Sequence, residues 1–319
     1  MQYVGLHTQQ ARNNFRSLLL LCLFPVLVLL LTFLFTALLV LFTSEEWENT
    51  TVWEQSLLMV RYLAPFILAG VGIWFVIAYF ANTAIIRSAT GAQPLERKEN
   101  KRVYNLVENL CMAQGMPMPK VNVIEDNSLN AYASGVDKRT YTVSLSRGII
   151  EKLDDEELEA VIAHELSHIR NRDVRLLIVS IVFVGIFAMV AQLALHALRY
   201  APRRSSNNKN GNGVIVIILA ALVAAAIGYF CSSLMRFAIS RKREYMADAG
   251  AAEMTRRPQA LANALRKISQ DPNIEAVTRS DVAQLFIEHP QKKEHAAGIS
   301  SLFATHPPIK KRIAILEQF

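Results

Sequence analysis

The sequence predicts a mainly α-helical, multi-pass membrane protein that also carries soluble segments with a small β-sheet. Two observations predict this class. Of the 319 residues, 52% are hydrophobic and only 19% are charged. Four uncharged runs are also each long enough to cross the hydrocarbon core of a bilayer, which takes about 20 residues. One such run alone is compatible with a buried helix, but four together favour the membrane. They are Ser17–Thr43, Tyr62–Ile86, Leu176–Leu198 and Val214–Leu234.

The charges that flank these runs predict their orientation. Arg12 and Arg16 precede the first run, whereas the following loop, Ser44–Gln55, carries four glutamates and no Lys or Arg. Because cytoplasmic loops are rich in Lys and Arg, the N-terminus and the soluble segments are expected in the cytoplasm. The loop Arg199–Gly213, expected outside, carries four cations and opposes this assignment of the third and fourth spans. The cytoplasmic ends beside it are basic as well.

The chain accordingly divides into four parts. Residues 1–86 hold the first two spans, 87–175 the first soluble segment, 176–239 a transmembrane hairpin and 240–319 the second soluble segment. The net charge of +7 could indicate nucleic-acid binding. The cations cluster beside the apolar runs, however, where anionic lipid headgroups and the topology rule account for them. The lipid bilayer is therefore the predicted partner, and no nucleic acid is expected.

The segment His164-Glu165-Leu166-Ser167-His168 matches the H-E-x-x-H pattern of zinc hydrolases. On a helix a four-residue step returns to nearly the same face, so both imidazoles can bind one metal ion. Glu165 then lies beside the metal, where a carboxylate can take a proton from water. Acidic residues from Asp154 to Glu157 predict an N-cap and a capping box before an apolar run. The alternative is a pair of surface histidines on an amphipathic helix.

A hydrolytic zinc needs a third protein ligand and one open position. A third histidine at the spacing H-E-x-x-H-x-x-G-x-x-H is excluded, because the chain has Asn171 and Val174 at the relevant positions. Two of the three cysteines lie in apolar runs. Glu244 is the better candidate, with Asp248 on the same helical face to accept an N–H from a ligating imidazole. The alternative for Glu244 is an ordinary charge beside a membrane segment.

The first soluble segment is predicted to contain the amphipathic helix Asn100–Met116 and the short strands Val121–Glu125 and Tyr141–Ser146. These strands bracket Asn130–Gly135, where small residues leave room for another backbone to approach. An exposed strand edge of this kind can hydrogen-bond an extended peptide. An ordinary hairpin strand is an equally good alternative.

Four ordered segments extend this pattern over nearly the whole chain. They are Asn130-Ala131-Tyr132-Ala133-Ser134-Gly135, His164-Glu165-x-x-His168, the block from Ser240 to Ala251 with Glu244 and Asp248, and Thr305-His306-Pro307-Pro308 with Arg312. Together they resemble the signatures of the HtpX family of integral-membrane zinc metallopeptidases, which are similar in length and in the placement of hydrophobic segments. That family is related to the CAAX prenyl proteases, which normally carry more membrane helices.

The resemblance implies a gluzincin-like zinc-protease domain with one Zn²⁺ ion per subunit. It implies His164, His168 and Glu244 as ligands, and Glu165 as the residue that activates water. Asp248 and Arg312 are implied as supporting residues, and His306 as a donor to the oxygen that becomes negative in the transition state. It also implies a substrate-aligning edge strand whose residues are Asn130, Ala131, Tyr132, Ala133 and Gly135.

The resemblance further implies a bacterial inner-membrane location, with the catalytic domain in the cytoplasm. The expected substrates are unfolded proteins and misfolded or damaged membrane proteins. Two alternatives stay open. A CAAX-type processing protease is disfavoured by the absence of additional spans. A proteolytically inert membrane scaffold with a structural zinc is disfavoured because such sites are usually closed by four Cys or His ligands. The oligomeric state is left open.

Overall fold

A computed structural model describes residues 6–43, 51–200, 210–238, 242–272, 274, 285–287 and 307–318 of the chain. The described residues are mainly helical with one small sheet, which confirms the predicted class at this level. They form two compact units. The sheet unit comprises Met1–Ser17, Tyr79–Ile178 and Arg236–Phe319, and the apolar helical unit comprises Leu18–Ala78 and Val179–Met235.

Along the sequence, the strands follow the first two long helices and precede the other two. The long helices are α1 (Leu6–Thr43), α2 (Val52–Thr90), α6 (Asp173–Tyr200) and α7 (Asn210–Ala238). The shorter helices are α3 (Lys101–Ala113), α4 (Arg147–Lys152), α5 (Asp155–Asn171), α8 (Lys242–Thr255), α9 (Pro258–Ile268) and α10 (Ile309–Leu316). The strands are β1 (Gln93–Pro94), β2 (Lys120–Ile124), β3 (Ala131–Ser134) and β4 (Thr142–Ser146).

Two helices in the described residues are long and apolar enough to cross a membrane. One is the part of α1 from Leu21 to Phe42, and the other is α2. In α6 and α7, the apolar stretches whose side chains are described, Gly185–Arg199 and Ile215–Cys231, are shorter. Large apolar side chains of α2 such as Phe66 are exposed, as expected for a surface that faces lipid. The structure thus supports two of the four predicted spans by length and composition.

The apolar helical unit has an aromatic core. Phe24 of α1 lies 5.6 Å from Phe75 of α2 and 5.7 Å from Phe187 of α6, measured between ring centroids. Phe24 and Phe187 are both buried. Ring pairs at this separation and inclination add stabilisation beyond their buried area.

The sheet has the strand order β1-β2-β4-β3, with β2 and β4 parallel and the other pairs antiparallel. The predicted strands Val121–Glu125 and Tyr141–Ser146 are confirmed as β2, which is shifted by one residue at both ends, and β4, which begins one residue later. The predicted helix is confirmed as α3, where the side chain of Asn100 accepts the N–H of Val103 and caps the first turn.

β3 is the outer strand of the sheet, but its outer side is covered at its first residues. Phe286 forms an antiparallel bridge with Tyr132, and the Ile287 N–H donates to the Ala131 carbonyl at 2.9 Å. The rings of Phe286 and Tyr132 pack edge to face with centroids 4.9 Å apart. The expectation of an exposed strand edge therefore does not hold at Ala131 and Tyr132, because a buried aromatic residue of the same chain pairs there.

The structure requires glycine at position 135 for a reason different from the one inferred from the sequence. Its φ of +105° is favourable only for glycine, and a Cβ atom would lie 2.4 Å from the Thr140 carbonyl oxygen. The backbone that needs the space is thus the chain's own turn between β3 and β4. Substrate approach is not required to explain this residue.

Helix α5 begins as predicted, and most of its residues are buried. Asp154 accepts the N–H of Glu157, and the Glu157 side chain accepts the N–H of Asp154, which completes the capping box. The helix ends at Arg172, a residue in the left-handed region with φ 60°, and α6 begins at the next residue. The capping box and this tight corner fix where α5 begins and ends.

Candidate metal centre

Two neighbouring helices bring three potential ligands together. His164 and His168 lie on α5, and Glu244 lies in the first turn of α8. The Nε2 atoms of the two histidines are 3.2 Å apart. Glu244 Oε2 lies 3.7 Å from His164 Nε2, and Glu244 Oε1 lies 3.6 Å from His168 Nε2.

Small residues on α8 allow it to approach α5 this closely. Ala247 and Ala251 are 0% and 1% exposed, respectively. A Cβ atom at Gly250 would lie 2.4 Å from Ser167 Oγ on α5. Any side chain at Gly250 would therefore require Ser167 or one of the two helices to shift.

The three ligand atoms fit a zinc ion. Bonds of about 2.0–2.2 Å in a tetrahedral site place neighbouring ligand atoms roughly 3.3–3.6 Å apart, close to the separations described above. Two imidazoles and one carboxylate form a donor set of hydrolytic zinc sites, which keep a fourth position open. The described residues contain this His-His-Glu group with all its ligand atoms within 4.8 Å of one another.

A buried ion pair supports the first histidine. His164 Nδ1 lies 3.0 Å from Asp248 Oδ1. Arg312 of α10 donates to both oxygens of Asp248, from Nε at 2.9 Å and from Nη2 at 2.7 Å, and it is 0% exposed. Its Nη1 donates to the Ile287 carbonyl at 3.0 Å and lies 3.6 Å from Glu244 Oε2. Arg312 thus joins the ligand set to the segment that covers β3.

These contacts shift the pKa values of Asp248 and His164. Burial favours the neutral form of Asp248, but the Arg312 guanidinium and hydrogen bonds from His164 and Arg312 hold the pKa of this carboxyl below its ordinary value. Burial also disfavours the charged form of His164, yet its contacts with Asp248 and Glu244 outweigh this effect and raise the pKa of His164 to about 9. A metal ion must therefore displace a proton from His164 when it binds.

The second histidine has a carboxylate partner that sequence reasoning missed. His168 Nδ1 lies 3.3 Å from Asp173 Oδ2. The available signal was an acidic residue five positions after the second histidine of the motif. On one continuous helix, two residues five positions apart lie on different faces. Asp173 can contact His168 because α5 ends between them, at Arg172.

Glu165 borders a small cleft beside the ligand atoms. The cleft is lined by Glu165, His168 and Glu244 together with Ala133 of β3 and Leu285. Glu165 is 1% exposed. Burial raises the pKa of Glu165 above its ordinary value, although the two histidines act in the opposite direction. A carboxyl group with a raised pKa is suited to proton transfer near neutral pH.

The remaining predicted site residues are those of the substrate-binding strand and His306. Among the residues predicted to bind substrate, Ala133 lines the cleft. Asn130 is buried, where its Nδ2 donates to the Pro272 carbonyl at 2.8 Å and its Oδ1 accepts the Ala131 N–H at 3.0 Å. These bonds hold the start of β3. His306 lies outside the described residues, so its role stays a prediction.

Comparisons with known proteins add an independent view. Residues 97–319 match peptidase family M48. A protein of Bacteroides fragilis named "Protease HtpX homolog" is 66% identical over 324 residues, which covers 100% of both chains. A Lactobacillus helveticus protein with the same name is 35% identical and covers 98% of this chain and 99% of its own. The crystal structure of S. mikatae Ste24p aligns with a TM-score of 0.45 at 20% identity, over 90% of this chain and 61% of that one.

Proposed function

The chain belongs to peptidase family M48, within its HtpX proteases, and on this premise we propose a zinc-dependent endopeptidase that cleaves misfolded or damaged membrane proteins. The family and the two candidate spans make the protein a membrane metalloprotease. The observation that carries the proposal is the convergence of His164, His168 and Glu244 beside the buried Glu165. The proposed location is a bacterial inner membrane with the catalytic domain in the cytoplasm.

In this proposal the three converging residues hold one zinc ion per chain. When bound, the ion supplies Lewis acidity, which polarises the scissile carbonyl group and makes water more acidic. Three protein ligands leave one position for water or substrate. Asp248 Oδ1 lies 3.0 Å from His164 Nδ1, where it would orient the ring and leave Nε2 as the ligand atom. Arg312 holds Asp248 in place through its two hydrogen bonds.

Glu165 carries the protons. It takes one from the attacking water and later delivers it to the leaving amine, so a single carboxyl group acts first as base and then as acid. Its raised pKa and its burial beside the cleft suit both steps. His306 is proposed to donate to the substrate oxygen as negative charge builds there. The two prolines that follow His306 restrict the backbone that holds it.

A substrate peptide is proposed to lie along β3 at the cleft. The Ala131 carbonyl already accepts the Ile287 N–H, so a peptide in the same place would have to displace that segment. Ala133 lines the cleft beside Glu165 and is the proposed contact. Asn130, Tyr132 and Gly135 then act indirectly, because they shape the strand and its turn.

The membrane arrangement is also part of the proposal. Four spans would place residues 87–175 and 240–319, which carry the metal ligands, on the same side of the membrane. The helices α6 and α7 coincide with the predicted third and fourth spans, and cationic residues flank both. Residues 1–86 and 176–239 would form the membrane parts of the chain.

Replacing Glu165 tests the proposed chemistry. In detergent-purified protein, Glu165→Gln is expected to keep its zinc but to cleave casein about 10²–10⁴-fold more slowly, the usual range for loss of a proton-transfer group. Glu159→Gln is the matched control, because Glu159 lies on the same helix and does not line the cleft. Activity of Glu165→Gln within a few-fold of wild type would remove Glu165 from this role.

The substrate class needs a separate experiment. The protease is reconstituted in vesicles with a single-span or multi-span membrane protein, in its stable form or destabilised by a point substitution. The proposal predicts faster cleavage of the destabilised form, at sites exposed on the side of the zinc domain. Equal rates for both forms would contradict quality control while leaving the peptidase chemistry intact.

A further inference from the structure

The corner between α5 and α6 returns the chain to the metal centre. Arg172 adopts φ 60°, and its N–H donates to the carbonyls of His168 and Ile169. A left-handed residue at this position ends the helix and reverses the backbone. Asp173, the first residue of α6, therefore lies beside the last turn of α5, where His168 is located.

The Asp173 side chain contacts the ring of His168 on the side opposite the other ligands. Asp173 Oδ2 lies 3.3 Å from His168 Nδ1, and Asp173 is 1% exposed. With its proton on Nδ1, the ring donates to this carboxylate and presents the Nε2 lone pair. Nε2 is the atom that lies 3.2 Å from His164 Nε2 and 3.6 Å from Glu244 Oε1.

We propose that Asp173 is the positioning residue of His168, just as Asp248 is that of His164. Each imidazole of the metal centre then has its own buried carboxylate, which fixes its tautomer and raises its basicity toward the metal. The inference rests on the proposed zinc site. It concerns how tightly and in what geometry that site binds metal, and it assigns Asp173 no contact with substrate.

A second contact fixes Asp173 from the side of α8. Arg243 Nη1 donates to the Asp173 carbonyl at 3.3 Å, and Arg243 immediately precedes Glu244. The backbone of residue 173 is thus tied to the turn that carries the carboxylate ligand, while its side chain is tied to the second histidine. Asp173 connects these two ligands without being a ligand itself.

A purely structural role for Asp173 would affect different measured quantities. An acidic residue at the first position of a helix interacts favourably with the helix dipole, and this would affect stability but not metal affinity. Asp155 provides the matched control. It is the first residue of α5, as Asp173 is of α6, but its partner is Arg102 at the surface.

Metal binding to the full-length, metal-depleted protein in detergent tests the inference. Zinc affinity is measured by chelator competition, and ligand geometry by the visible absorption of the Co²⁺-substituted protein. Asp173→Ala is expected to weaken zinc binding about 10–100-fold and to change the Co²⁺ spectrum. Asp173→Asn, which is nearly isosteric and keeps an acceptor oxygen, is expected to show a smaller loss. Asp155→Asn is expected to bind as wild type does.

The outcomes separate this inference from the function on which it rests. Wild-type zinc affinity and a wild-type Co²⁺ spectrum in both Asp173 variants would overturn the role of Asp173 alone. Failure of the wild-type chain to bind zinc would overturn both proposals. If Asp173→Ala does not fold, Asp173→Asn decides, since wild-type affinity and spectrum in that variant would also overturn the inference.

Discussion

Replacing Arg312 by methionine is expected to destabilise the metal-free protein and to weaken metal binding. The guanidinium group is fully buried, and it donates to Asp248 at 2.9 and 2.7 Å and to the Ile287 carbonyl at 3.0 Å. Methionine fills much of the same volume but offers no donor. Asp248, which is 3% exposed, would lose this cation and both of its hydrogen bonds while keeping its contact with His164.

The expected cost follows from that burial. Removing one partner of a buried, hydrogen-bonded ion pair typically costs about 3–5 kcal/mol, because the other charge stays desolvated. Arg147→Met is the matched control. Its pair with Glu125 is at the surface, with side chains 35% and 52% exposed, and exposed pairs contribute only about 0–1 kcal/mol.

The assay is denaturant unfolding of the metal-depleted variants, followed by circular dichroism. A double-mutant cycle with Asp248→Asn adds a second test. Once the carboxylate is neutral, loss of Arg312 should cost less, and the two changes should be non-additive by about 0.5–3 kcal/mol. The reasoning is refuted if Arg312→Met costs no more than Arg147→Met, or if the two effects simply add.

Three further predictions concern the ligands, their protons and the membrane. Glu244→Ala should lose zinc in metal analysis, and Asp248→Ala should bind it about 10–100-fold more weakly; wild-type affinity in both would place the third ligand elsewhere. Because the pKa of His164 is about 9 without metal, apparent zinc affinity should fall as the pH drops from 9 to 7, by about tenfold per unit from this group. Calorimetry in buffers of different ionisation enthalpy should count the released proton, and an affinity independent of pH would contradict this. In a chain without native cysteines, a cysteine at Ser206 should react with a membrane-impermeant thiol reagent on intact cells, and one at Ser280 only after lysis. Protection of Ser206 would contradict the four-span arrangement, and labelling of Ser280 in intact cells would indicate an inverted chain.

Helix caps and helical spacing in the sequence predicted those site residues whose positions depend on a single helix. The acidic residues at Asp154 and Glu157 form the predicted capping box, and the helix that follows presents both histidines at a four-residue spacing. Glu244 and Asp248 share one face of α8 for the same reason. Helix periodicity is read over a few residues, so it could place these side chains before the fold was known.

Contacts that depend on the reversal of the chain were not predictable in this way. Asp173 meets His168 only because Arg172 adopts a left-handed conformation that non-glycine residues seldom occupy. Phe286 covers β3 through pairing with Tyr132, a residue distant in sequence. Neither contact leaves a periodic signal. Gly135 showed the need for space, but the neighbour that takes the space became clear only in the fold.

Hydropathy located the helices that carry the predicted membrane segments. The predicted runs Leu176–Leu198 and Val214–Leu234 fall on the helices α6 and α7, so the sequence located the helices correctly. The side chains described in these two helices include the apolar stretches Gly185–Arg199 and Ile215–Cys231, which overlap the predicted runs. Length and composition thus support the first two spans, and the topology of the last two depends on the labelling experiment.

The most direct test of the central claim combines zinc content with proteolysis in one preparation. Elemental analysis and casein cleavage are measured on the detergent-purified chain as isolated, after removal of metal by a chelator, and after zinc is added back. The account predicts about one zinc per chain, loss of cleavage with the metal, and recovery of cleavage when zinc returns. Undiminished cleavage by the metal-free chain would contradict the account. An inactive chain that retains a chelator-resistant zinc would contradict it as well, and would favour a membrane scaffold with a structural metal.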